Sequence, residues 1–249
     1  MKARVHRLAL VASDLACRLP LAQRGFMATS AFGLRFASPI GVAAGFDSFG
    51  HIGRRFGRLG FGFAEIGTVC LRGAVGRPSL SQALVAAGRP GPARLGIVIG
   101  PDDGSPSVQA MNDVAECLEA LAPLADYVSL SLCGKGGSLR WPLRESLALM
   151  RRTAQGVRSV PLLLKVPTEP HLGDLAEAAR TEGYDGIVVE GADATLIAHL
   201  HFLMPVVAVG GIHRRRDMRN RLDAGASLVQ CCRALMWSGP LGAISLCRQ

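Results

Sequence analysis

The sequence predicts one closed (β/α)8 barrel preceded by a short helical segment, and three observations lead there. From residue 39 onward, eight short apolar, β-branched runs alternate with longer stretches of helical periodicity. Continuous apolar runs of this kind are parallel strands covered on both faces, and eight βα units in a chain of 249 residues suit a closed barrel better than an open sheet. The residues able to do chemistry collect at the carboxyl ends of the runs, the face on which such barrels build their sites.

The segment 1–26, MKARVHRLALVASDLACRLPLAQRGF, puts Val5, Leu8, Ala12, Leu15 and Leu19 on one helical face, with Arg4, Arg7 and Arg18 among the polar positions. It reads either as a helix docked on the barrel or as a helix in peripheral contact with a membrane. Asp14 interrupts the apolar stretch and Arg18 follows it, which argues against a signal peptide. Residues 27–249 form the barrel, with strands expected at 39–43, 62–67, 95–100, 127–132, 161–166, 185–190, 206–211 and 227–232. AAGFDS follows the first strand, GTVC the second and CGKGG the fourth. Lys165 ends the fifth, GGI follows the seventh, and the eighth runs into CRALM.

Composition narrows the function classes. The formal charge of +9 favours anionic partners such as phosphates or anionic lipid, or else reflects arginine used as a general surface cation. Aromatic residues make up only 5%, and no basic stripe is interleaved with stacking rings, so nucleic acid is a poor candidate. Seven cysteines without a C-x-x-C pair or zinc spacing point to reduced thiols in a cytoplasmic setting and to no metal. No run approaches the roughly 18 to 20 apolar residues that a spanning helix needs.

FGLRFASPIGVAAGFDSFG, LGFGFAEIGTV, the strands ending LLLKV and VAVGGI, and DAGASLVQCCRALMWSGP together resemble the quinone-linked (class 2) dihydroorotate dehydrogenases, in order over nearly the whole chain. HRLAL in the first segment is similar to the start of that family's membrane and quinone-binding extension. The resemblance implies an FMN lying across the mouth of a TIM barrel and dihydroorotate as the small-molecule substrate. It implies an oxidoreductase of pyrimidine biosynthesis, with quinone as acceptor and residues 1–26 peripheral on the inner face of the cell membrane. It carries cofactor-binding roles onto Ala43, Ala44, Gly45, Thr68, Ser131, Lys165, Gly210, Gly211, Arg233 and Ala234. Glycines let backbone N–H groups approach a phosphate, and a strand-end lysine can set its cation against the electron-rich end of a flavin. The alternative for Lys165 is an ion pair with Glu190 or another acid.

Several positions depart from the family pattern. Ser48 stands where the family has a lysine, Val98 where a polar flavin ligand is expected, Pro101 in place of a second lysine, and Gly191 in place of an asparagine. The loop LVAAGRPGPAR is shorter than the family's asparagine-bearing loop, and the covering loops are expected to be reduced. In YVSLSLCGKGG the family's base position is Gly134, and Gly136 replaces its second asparagine. Cys133 lies one residue early, either as a base assisted by Lys135 or as a small buried hydrophobe. These departures define a second expectation, a pseudoenzyme that keeps the barrel and a phosphate or flavin site without turning over dihydroorotate. His213 to Arg216 gather cations at the start of a helix, where they either hold an anion or are solvated.

Overall fold

A computed structural model of the chain describes residues 2–19, 28–101, 108–131, 147–148, 151, 160–168 and 171–247. Helix α1 spans Lys2–Ala16. It is followed by an antiparallel hairpin of β1 (Thr29–Ala31) and β2 (Leu34–Phe36). The barrel strands are β3 (Ile40–Val42), β4 (Phe63–Val69), β5 (Arg94–Ile99), β6 (Tyr127–Ser131), β7 (Leu162–Pro167), β8 (Gly186–Glu190), β9 (Val206–Val209) and β10 (Leu228–Cys231). All eight are parallel to their neighbours, and β10 pairs with β3 to close the ring. Each predicted run is one of these strands. The outer helices are α2 (Leu80–Ala87), α3 (Val108–Leu121), α4 (Leu172–Thr181), α5 (Ala194–Leu200), α6 (Arg215–Asp223) and α7 (Arg233–Cys247).

Strand alternation sorts the side chains into two environments. Ile40, Val42, Ile66, Ile97, Val128 and Leu164 belong to the large cluster between sheet and helices, where all are buried. Phe63, Tyr127, Leu163, Val188, Val207 and Leu228 form a second cluster with Phe36 inside the barrel. The hairpin, which the strand pattern did not predict, plugs the amino-terminal end of this inner cluster. Phe36 meets Phe63 edge-on at 5.5 Å, and Phe32 lies 5.5 Å from Tyr127. Gly41 and Gly96 make room for the large rings: a methyl at either position would overlap Phe63 or Tyr127 respectively. Above this apolar floor the interior turns polar, with Glu65, Ser129, Lys165 and Gln230 all buried.

The first helix docks through a face other than the one the apolar stripe suggests. Ala9, Ser13, Ala16 and Cys17 are the buried positions, and the helix packs on α7. Asp14 pairs with Arg55 at 2.6 Å, Arg58 donates to the Cys17 carbonyl at 3.2 Å, and the His6 ring lies 2.7 Å from the Phe46 carbonyl. Of the expected stripe, Leu8, Leu15 and Leu19 are more than half exposed, as is Val11 beside them. Small residues permit close helix approach, so the bulky apolar ones are left outside. No described helix is long and apolar enough to cross a membrane.

Candidate active site at the barrel mouth

The loop after β3 is built around Asp47. Its buried carboxylate accepts the backbone N–H groups of His51, Ile52 and Gly53 at 2.8 to 2.9 Å, which folds the loop back into a tight turn. Burial raises the Asp47 carboxyl above the usual carboxylate range despite those three donors. Ala43 and Ala44 are buried, whereas Gly45 is exposed with open space where a Cβ would stand. The Ser48 carbonyl accepts the Gly67 N–H at 2.9 Å, bringing this loop against Thr68 at the end of β4. Thr68 in turn lies beside Gly100 after β5: a methyl there would meet the Thr68 side chain and the Ser131 carbonyl.

Across the mouth, Gly210 and Gly211 leave β9 with φ of 91° and 70°, a conformation glycine adopts without strain. The neighbouring strand β10 passes directly into α7, whose first residues are Arg233, exposed, and Ala234, buried. A glycine turn beside a helix N-terminus, after the last two strands, is the usual phosphate position of these barrels. Arg221 of α6 adds a residue that sequence reasoning missed. One of its guanidinium nitrogens lies 3.3 Å from where a Gly211 Cβ would sit, and its Nε is buried without a partner among the described residues. The basic run His213 to Arg216 carries its own acid: Asp217, in the first turn of α6, accepts the backbone N–H groups of His213 and Arg214 at 2.9 and 2.8 Å. That carboxylate caps the helix start where an external anion was the alternative.

Lys165, on β7, is 7% exposed and sits between two carboxylates. Its Nζ donates to Glu65 Oε2 at 3.1 Å and lies 3.6 Å from Glu190 Oε1 at the end of β8. Glu65 is fully buried; its other oxygen accepts Ser129 Oγ at 2.9 Å and the Tyr127 hydroxyl at 3.3 Å. The glutamate is therefore completely satisfied inside the barrel, and it fixes the ammonium at the boundary between the packed interior and the mouth. Burial alone would lower the lysine pKa, but the charges of Glu65 and Glu190 outweigh it and hold the value above the ordinary one. The expected ion pair with Glu190 thus exists, but the shorter partner is Glu65. Burial pushes the Tyr127 hydroxyl well above its usual range, with the Glu65 charge acting in the same direction.

The departures take definite forms. Val98 is fully buried and lines the strand row opposite Ser129. Pro101 offers only its carbonyl, which accepts Arg77 at 2.9 Å, so a guanidinium from the loop after β4 occupies the ground near the missing lysine. Gly191 has φ of 83° and turns the chain straight into α5, capped by Asp193, whose carboxylate accepts the Leu196 N–H at 2.8 Å. Ser131 is the last residue of β6 and pairs in register with Lys165. Cys133, Gly134, Lys135 and Gly136 lie outside the described residues.

No protein-family model matches the chain. Among curated proteins it is 31% identical to a dihydroorotate dehydrogenase (quinone) of Xylella fastidiosa strain M12 and 32% identical to one of Stenotrophomonas maltophilia strain R551-3, covering 95% of this chain and 89% of each relative. Both alignments run over 314 positions against a chain of 249 residues, so at least the difference of 65 positions has no counterpart here. Among solved structures, the ligand-free dihydroorotate dehydrogenase of Eimeria tenella superposes with a TM-score of 0.82 at 20% identity, over 98% of this chain and 92% of that one. The same enzyme in complex with ferulenol gives 0.80 over 98% and 89%. These likenesses carry the barrel fold.

Proposed function

The chain belongs to the quinone-linked dihydroorotate dehydrogenase family, and from that premise we propose that it binds FMN across the barrel mouth and oxidises dihydroorotate to orotate, with a quinone as final acceptor. The observation that carries this reading is the opposition of a glycine turn at Gly210 and Gly211 to a buried ammonium, Lys165, held by Glu65. The residues present fit the cofactor's two ends. At the phosphate end, the backbone N–H groups of Gly211 and Ala234 offer donors, that of Gly210 being bonded to the Gln230 carbonyl, and Arg221 and Arg233 supply positive charge. At the ring end, Ala43, Ala44, Thr68 and Ser131 carry small side chains, and Gly45 leaves open space where a Cβ would stand.

When bound, the flavin supplies the two-electron acceptor for a C–H bond of the substrate. The protein's part is to hold, exclude and take a proton. Asp47 holds the first loop closed over Thr68, and Val98 keeps that strand end dry. Lys165 sets its ammonium, paired with Glu65, beside the ring. In this reading Cys133, which follows β6 in the sequence, accepts the proton released from dihydroorotate.

Quinones dissolve in membranes, and residues 1–26 are suited to reach one from the inner face. Leu8, Val11, Leu15 and Leu19 are exposed on α1, Trp237 is 65% exposed on the adjoining α7, and Arg4, Arg7 and Arg18 flank the patch. Leucine and tryptophan beside arginine are the elements of an interfacial helix on anionic lipid.

The test is dihydroorotate-dependent quinone reduction by the FMN-supplemented protein, compared with Lys165→Met and Cys133→Ala. Turnover lost in both variants supports the assignment. Undiminished turnover in Cys133→Ala removes the thiol as the base, and absence of turnover in the parent protein contradicts the reaction.

A further inference from the structure

The charge around Lys165 is not balanced. Glu65 alone neutralises the ammonium, at 3.1 Å and with no exposure to solvent. Glu190 then brings a second carboxylate to 3.6 Å on the mouth side, and its side chain is 55% exposed. It sits on the last residue of β8, opposite Pro167, and the chain turns at Gly191 directly after it. Among the described residues, Lys165 therefore meets two carboxylates where a single partner would suffice to pair it.

We propose that Glu190 is a tuning residue of the cofactor site: as a second carboxylate on Lys165, it opposes the negative charge that a bound flavin gains on reduction. This rests on the FMN reading above. A lysine beside a flavin ordinarily favours the reduced form by offsetting that charge. Here Glu65 already neutralises the ammonium and Glu190 adds a further carboxylate, so the site favours reduced flavin less than it would with Glu65 alone. Glu190 needs no contact with the ring for this, because the effect acts through the field at the ammonium.

The experiment compares the midpoint potential of bound FMN, by equilibration with reference dyes, in the parent protein, Glu190→Gln and Asp174→Asn. Glutamine keeps the side-chain shape, and Glu190 is exposed enough for folding to tolerate it. Asp174 is a strongly exposed acid on α4 and controls for net charge. One charge at this range, discounted for solvent access, is expected to change the ratio of reduced to oxidised flavin affinity about tenfold in Glu190→Gln. For two electrons that is a rise of about 30 mV, with Asp174→Asn unchanged. Equal potentials in the parent and Glu190→Gln, or an equal shift in Asp174→Asn, would overturn the role of Glu190 while leaving flavin binding intact. Failure of all three proteins to take up FMN overturns the cofactor reading itself, and Glu190's role with it.

Discussion

Glu65 is the residue on which the interior turns. It is fully buried and bonded to Lys165, Ser129 and Tyr127, so removing it strands an ammonium in the barrel. Glu65→Leu is expected to lose about 3–5 kcal/mol in urea denaturation, and the double variant Glu65→Leu, Lys165→Met much less, because the second change removes the unpaired charge. The pair also has a pH signature. The folded lysine pKa is raised, so its contribution is complete below the unfolded lysine value and is lost as pH rises through the folded one; neutral pH leaves it untouched. Asp126 has the opposite sign. Burial would raise it, but the Leu95 N–H and the guanidiniums of Arg54 and Arg94 hold it below the usual range. Its contribution is present above about pH 4 and disappears as pH falls through the lowered value, so Asp126→Asn should flatten the acid limb of a stability profile. Sequence reading singled out Lys165 from its strand-end position but not its shorter partner. A lone glutamate at an inward position between Phe63 and Gly67 was the available signal, since an unpaired charge does not persist inside a barrel.

At the level of elements, the eight barrel strands were legible because parallel strands covered on both faces are apolar throughout, and their runs stand out against the helices. The hairpin β1–β2 was not, because three-residue strands are too short to show alternation. Its weight is nevertheless large: Phe36 is fully buried against Phe63 and Tyr127. Phe36→Ala is expected to cost about 3–5 kcal/mol by opening the barrel floor, measurable as a lower denaturation midpoint at unchanged slope. Helix α1 shows how an apolar stripe misleads when small residues offer closer packing. Ala9, Ser13 and Ala16 dock while Leu8 and Leu15 face outward. Leu8→Ser with Leu15→Ser should therefore change stability by less than about 1 kcal/mol while sharply reducing co-sedimentation with anionic vesicles. A large stability loss with vesicle binding retained would mean that these leucines pack against protein instead.

For the whole molecule, the family was readable from motifs spread along the chain. Gly191 turns directly into α5, and the relatives' alignments contain at least 65 positions with no counterpart here (314 against 249). The shortened covering loops expected from the sequence would leave the mouth wetter, which weakens electrostatic hold on a ligand and favours exchange with solvent. Flavin is therefore expected to be taken up saturably from added FMN yet retained in less than equimolar amount through purification. The most direct measurement is the visible spectrum of the FMN-supplemented protein before and after anaerobic addition of dihydroorotate. The account predicts a protein-bound flavin band that bleaches on dihydroorotate and returns when a quinone is added. A flavin band that stays unchanged with dihydroorotate, or no protein-bound flavin at all, would contradict it.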